Sequence, residues 1–416
     1  MNSHLALFYI AFLLLVMKCS ALENGLAKTP PMGWVSWAAF LCETDCVDHP
    51  KTCISEKLYM EMADKMAADG YKEAGYTFVN MDDCWMAKER DKDGIVQVDQ
   101  TRFPHGMKYL ADYVNQKGLK LGLYQNLGDK TCGGYPGMTD WKKDVKAFTD
   151  WTVDFIRADS CHPDVWPLSS AYEKFGQYLI EHGRPMVLSC GLPKYEIDFG
   201  RKPDYSKVSA LCNMWRNTDD VWLGWSSVQG IINWYDHNHD TVASVHGPGK
   251  WNDPDSIIVG SYRLTVDQSQ AQMAIWSIWS APLIMSNDLR NIGDEYKEIL
   301  LNRKVIAVDQ DPLGIMGRLV YNTTNYGFYV KPMTPVDTQT GDHSFAIVLF
   351  NRNSVERVNA SAFCRIQLNL FHEKGYIMEN LFTGENHGKM LPNPECVIHS
   401  LVNPTGVVML KLTVVT

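Results

Sequence analysis

The sequence predicts an α/β fold: a (β/α)8 barrel followed by an antiparallel β-sandwich domain. Three observations lead there. Between about residues 30 and 290, short apolar runs alternate with amphipathic, helix-like stretches. The first run is not followed by the Gly-rich phosphate loop expected of the rival, a doubly wound open sheet; Gly33-Trp34-Val35-Ser36 stands there instead. After about residue 315 the helical pattern gives way to short alternating runs divided by turn residues. Residues 22–314 are assigned to the barrel and 315–416 to the β-domain.

The elements follow in chain order. Leu5–Met17 is an apolar run of 13 residues, too short to span a bilayer and suited to a signal-peptide core, although only His4 adds charge before it. Cys19-Ser20-Ala21 puts small residues before a cleavage point, so residues 1–21 are read as a signal peptide; the alternative is a buried strand or helix. Barrel strands are expected at Met32–Trp37, Tyr76–Asp82, Leu119–Gln125, Val153–Asp159, Pro185–Cys190, Ala210–Arg216, Thr241–His246 and Pro282–Ser286. Helices are expected at Ser55–Ala68, Gly106–Gln116, Asp140–Trp151, Ala171–Glu181 and Gln268–Trp279, with Ser55 as an N-cap. Strands of the β-domain are expected at Leu319–Tyr321, Gly327–Val330, Phe345–Phe350, Arg365–Leu370, Tyr376–Asn380 and Val407–Leu412.

Composition narrows the function. The net charge is −9 and no Lys/Arg run occurs, which argues against a nucleic-acid partner. No second apolar stretch is long enough to span a membrane. The 13 Trp, 19 Tyr and 15 Phe suit sugar stacking and equally suit a large core. Of 11 cysteines, Cys19 falls in the signal segment and ten remain, an even number that reads as disulfides in an oxidising compartment. Zinc is the rival, but no paired C-x-x-C has a second half. Two glycosylation sequons, at Asn322 and Asn359, agree with the secretory route.

A barrel enzyme places its site at the C-terminal ends of the strands. Here those ends hold Trp37, Asp82-Asp83-Cys84-Trp85, Tyr124, Arg157-Ala158-Asp159, Trp215-Arg216-Asn217 with Asp219 and Asp220, and Trp251-Asn252-Asp253-Pro254-Asp255. One acidic strand end is an ordinary turn. Four on one rim point to a polyhydroxylated ligand or a cation.

Taken in order with Pro31-Met32-Gly33-Trp34, Gly247-Pro248-Gly249-Lys250 and Gln310-Asp311-Pro312-Leu313-Gly314, these blocks resemble the α-galactosidase/α-N-acetylgalactosaminidase family of retaining glycoside hydrolases. The resemblance implies the same barrel and β-domain, no cofactor and no metal. It further implies a homodimer, a lysosomal or secreted location, and terminal α-galactose-type sugars of glycolipids or glycoproteins as substrates. It makes Asp159 the nucleophile and Asp220 the acid/base, with the adjacent Asp219 a rival for the second role. An ionised Asp159 is expected to raise the pKa of Asp220 while the nucleophile is free. Trp37 is implied to pack on the sugar's apolar face, Asp82 and Asp83 to bind hydroxyls, and Tyr124, Arg216 and Asp255 to complete the rim. The implied disulfides are Cys42–Cys84, Cys46–Cys53, Cys132–Cys161 and Cys190–Cys212, with Cys364–Cys396 the remaining pair.

The sequence also departs from the family. Arg157 stands where a sugar-contacting Lys is usual, Ser160 for Gly, and Ser256 for Met. In Gly191-Leu192-Pro193-Lys194-Tyr195, the segment that reads the sugar's 2-substituent, α-galactosidases carry Glu and Leu at the positions of Gly191 and Lys194; α-N-acetylgalactosaminidases carry Ser and Ala. Gly191 leans toward the acetamido sugar, whereas Lys194 either blocks that room or swings to solvent. The expected activity is release of terminal α-linked N-acetylgalactosamine; the alternatives are an α-galactosidase, a non-catalytic glycan-binding relative, and a metal-dependent hydrolase using Asp82, Asp83, Asp159 and Asp255.

Overall fold

The computed structural model describes residues 24–161, 167–182, 184–261 and 263–416; the signal-peptide reading of 1–21 lies outside them. Among the described residues no helix is long and apolar enough to cross a membrane.

The barrel strands are β1 (Met32–Val35), β2 (Phe78–Met81), β3 (Lys120–Asn126), β4 (Phe155–Asp159), β5 (Val187–Cys190), β6 (Met214–Arg216), β7 (Trp251–Asp253) and β8 (Leu283–Met285). They form one parallel sheet in the order β7-β6-β5-β4-β3-β2-β1-β8. The ring closes past β7, where Ile257 N–H donates to Ile284 O at 2.8 Å and Ile257 O accepts Ser286 N–H at 2.8 Å. Seven of the expected strands overlap these. The eighth expectation, Thr241–His246, is corrected: residues 241–243 end the helix Trp225–Ala243 and the strand is Trp251–Asp253. Thr241 and Val242 imitate a strand locally. The buried positions Val228, Ile231, Ile232, Tyr235 and Val242 instead follow one helical face.

The β-domain comprises β9 (Arg318–Asn322), β10 (Tyr326–Val336), β11 (His343–Asn351), β12 (Val358–Phe363), β13 (Tyr376–Asn380), β14 (Asn386–Met390), β15 (Val397–Val402) and β16 (Val407–Val414). Six strands form an antiparallel sheet, β14-β13-β16-β11-β10-β9; β12 and β15 form a second. The expected strand Arg365–Leu370 is corrected to a turn and irregular chain, because Arg365–Leu368 closes tightly beneath β12. Three strands, β12, β14 and β15, escaped the sequence reading. Both sequon residues, Asn322 and Asn359, are exposed.

Strand alternation joins the two parts. Ile347 and Leu349 face the sandwich core with Ala360, Ile398 and Val402. Ala346, Val348 and Phe350, on the other face of β11, join the barrel core. Between sheet and barrel runs the helix Val266–Ile278. It is buried from Ala271 to Ile278 without a break, as a helix covered on both sides must be. A capping box at Thr265 and Gln268 starts it.

Candidate active site

The strand ends converge on a cavity that opens to solvent. Trp37, Asp82, Asp83, Tyr124, Arg157, Asp159, Tyr195, Arg216, Asp220 and Asp255 all line it. Gly191 and Lys194 stand outside it, in an adjoining pocket that shares Arg157, Asp159 and Asp220.

One guanidinium sits between the two carboxylates of interest. Arg157 Nη2 lies 3.7 Å from Asp159 Oδ2 and 3.9 Å from Asp220 Oδ1. The two oxygens are therefore no farther apart than the sum of those distances. Asp220 Oδ1 also meets Arg216 Nη1 at 3.2 Å, and Arg216 Nη1 meets Asp255 Oδ1 at 3.0 Å. Asp255 in turn fixes the loop that bears Asp220, because its Oδ2 accepts Val221 N–H at 2.7 Å. Asp255 holds φ 76°, a left-handed conformation that costs a non-glycine residue about 1–3 kcal/mol.

The covalent frame agrees with the expected pairing: Cys42–Cys84, Cys46–Cys53, Cys132–Cys161, Cys190–Cys212 and Cys364–Cys396 are all bonded. The Cys132–Cys161 bridge flanks Asp159, with Cys132 Sγ 3.8 Å from Asp159 Oδ2. Tyr124 hydroxyl donates to Cys132 Sγ and Tyr195 hydroxyl to Cys161 Sγ, each at 2.9 Å. Behind them, Tyr172 hydroxyl donates to Ala158 O at 2.7 Å and accepts Gly191 N–H at 3.2 Å, locking the end of β4 to the start of the next loop. Such bonding fixes the reacting groups before any ligand arrives.

The departures acquire physical meaning here. Ser160 is buried with its hydroxyl 3.1 Å from that of Tyr172. Ser256 donates to Asp255 Oδ1 at 3.1 Å, a bond that Met could not make. The space freed by Gly191 is not open: a Cβ there would fall 2.5 Å from Asp159 Oδ1 and 2.7 Å from Tyr195 Cε2. Lys194 turns away from the cavity. Its Nζ pairs with Asp219 Oδ1 at 2.6 Å and with the Asp198 carboxylate.

Electrostatics separate the acids. Burial lifts Asp82 to about 7, against the pull of Arg157. It also raises Asp83, although Gly133 and Cys84 N–H groups donate to that carboxylate at 2.7 and 2.6 Å. Asp220 corrects the expectation of a raised acid. Burial pushes it up, but Arg216, Arg157 and Lys194 outweigh burial and hold it below the usual carboxylate range. Asp253, which the sequence reading passed over, is buried in the same wall and lifted by burial to about 6. Its place in the Asp253-Pro254-Asp255 run was the available signal. Tyr172 had none, since only the fold brings it to β4.

Converging carboxylates around a cavity at the C-terminal mouth of a (β/α)8 barrel are the arrangement of a glycoside hydrolase, the class to which the relatives of this chain belong. Residues 29–311 match the sequence profile of the family described as Alpha galactosidase A, and the chain belongs to that family. The α-N-acetylgalactosaminidase of Gallus gallus is 41% identical over 399 residues, spanning 93% of this chain and 94% of its own. Alpha-galactosidase A of Homo sapiens is 43% identical over 337 residues, spanning 80% and 77%. The crystal structure of alpha-galactosidase I from Mortierella vinacea matches with TM-score 0.82 at 26% identity, covering 94% of this chain and 98% of that one.

Proposed function

We propose that this enzyme releases terminal α-linked N-acetylgalactosamine with retention of configuration, Asp159 acting as nucleophile and Asp220 as acid/base. The main support is the shared contact of both carboxylates with Arg157 at the cavity mouth. In such a mechanism one carboxylate attacks the anomeric carbon while the other protonates the departing oxygen; the roles then reverse with water. Asp159 at the end of β4 is braced by a disulfide and faces the cavity wall. Asp220 lies on the loop beyond β6 and lines the same cavity. Asp82, Asp83 and Asp255 would take sugar hydroxyls, and Trp37 the apolar face.

The acetamido preference rests on three supports. Four relatives that bear that name are 40–41% identical over 93–96% of this chain. Residue 191 offers no carboxylate to bind a 2-hydroxyl. Lys194 is drawn to Asp219 and Asp198, outside the main cavity. Rates on paired synthetic α-N-acetylgalactosaminides and α-galactosides test the preference, and NMR of the first-formed anomer tests retention. A clear preference for α-galactosides overturns the first, and an inverted product the second. Because Asp220 must carry a proton to begin the cycle yet is held low, activity is expected to rise from neutral pH into the acid range.

Five disulfides and two exposed sequons support a secreted or lysosomal glycoprotein. The homodimer is proposed from the family resemblance, and sedimentation of the secreted protein tests it.

A further inference from the structure

The loop that bears Asp220 continues through Val221, Trp222 and Leu223, and it is tied down on both sides. Val221 N–H donates to Asp255 Oδ2 at 2.7 Å; Trp222 N–H donates to Ser227 Oγ at 2.9 Å, in the first turn of the helix Trp225–Ala243. The indole carried by this tethered backbone is not buried. Trp222 is 59% exposed, whereas Trp34, Trp85, Trp215, Trp251, Trp276 and Trp279 are each at most 2% exposed. A large aromatic held out in solvent on the loop of Asp220 is placed to meet a ligand that reaches that residue.

Trp222 lines an open groove with Ile197 and Trp234; Asp198, Thr218 and Ser227 supply polar groups to the same groove. Asp220 lines both this groove and the main cavity, and so joins them. We propose that the groove is the leaving-group subsite and that Trp222 is its stacking platform, holding the sugar ring next to the one released. The inference rests on Asp220 as the acid/base. The oxygen it protonates must lie beside it, so the unit attached to that oxygen extends from Asp220 away from the cavity that holds the terminal sugar. The space that begins at Asp220 and leads outward is this groove. Its chemistry suits a hexose, because the exposed Trp222 indole, edged by the Thr218 and Ser227 hydroxyls and the Asp198 carboxylate, matches a ring with a C–H face and a hydroxyl rim. Lys194 stands on the shared edge with its charge engaged by Asp219 and Asp198, within reach of the incoming unit.

The test compares two substrates that share the terminal sugar: its methyl α-glycoside, and a disaccharide in which it is α-linked to a second hexose. The quantity read is the ratio of kcat/KM for disaccharide over methyl glycoside. W222A is expected to lower that ratio about tenfold, mostly through KM for the disaccharide, and W222F to restore most of it. An unchanged ratio in W222A, whether both rates hold or both fall together, overturns the subsite. A wild-type enzyme that cleaves neither substrate defeats the parent reading and the subsite with it.

Discussion

The barrel mouth and the seam between barrel and β-domain both bury charge, but they use it differently. At the seam the charges close on one another. Asp236 accepts the Tyr329 hydroxyl at 2.9 and 2.8 Å together with the Arg352 guanidinium; Lys331 Nζ donates to Ser280 Oγ and Val308 O. At the mouth Arg157 and Arg216 stand among Asp159, Asp220 and Asp255, and all five side chains also face a cavity. Shifted acidity does not tell the regions apart. Burial raises Asp309 at the seam well above its ordinary value, just as it raises Asp82 at the mouth. What marks the mouth is charge left open to a ligand.

The contrast breaks first at the nucleophile. D159N is expected to lose activity by about 10⁴-fold or more while keeping its unfolding midpoint, measured with an aryl α-glycoside and by urea denaturation. Near-normal turnover would make the mouth no different from the seam.

Stability against pH gives the next largest effect. Burial lifts Asp82 from 3.8 to about 7, so the native protein keeps a proton there that the unfolded chain releases above about pH 4. That contribution is full below pH 3.8 and fades as pH rises through 7. His246 works in the opposite sense: burial lowers it from 6.5 to about 3, and its contribution is lost as pH falls through that range. The informative quantity is therefore D82N against wild type. The variant's stability relative to wild type should rise by about 3 kcal/mol between about pH 4 and pH 7.5. A flat difference contradicts the burial of Asp82's proton.

R157Q removes one of the two guanidiniums that hold Asp220 low. It should reduce kcat/KM about 50-fold and move the alkaline limb of its pH profile upward. A limb that stays in place while the rate falls would confine Arg157 to sugar binding. At the seam, D236N should cost about 2 kcal/mol in urea unfolding and leave kcat/KM within about twofold. Loss of turnover without loss of stability would blur the two regions.

The mouth was far more legible in sequence than the seam. Asp82, Asp83, Asp159, Arg216 and Asp255 sit in motif blocks at strand ends, where type and order speak together. The short strand β7 was missed because three residues give no periodicity, while Thr241 and Val242 at a helix end read as β-branched strand formers. β14, Asn-His-Gly-Lys-Met, has no apolar alternation at all and is held by pairing with β13. The depressed acidity of Asp220 depends on Arg216, its neighbour four residues back, together with Arg157 and Lys194, which only the fold brings to the same carboxylate. The Gly191 segment announced a change of chemistry, yet only coordinates place the Tyr195 ring in the space the missing side chain frees.

The most direct measurement is covalent. A 2-fluoro galactosyl fluoride, or its counterpart for the preferred sugar, should trap the glycosyl-enzyme, and peptide mass spectrometry then locates the ester. The expected result is stoichiometric labelling on Asp159, slowed at high pH as Asp220 loses its proton. A label on Asp220 or Asp219, or an intact enzyme that turns over the parent glycoside without ever being trapped, would contradict it.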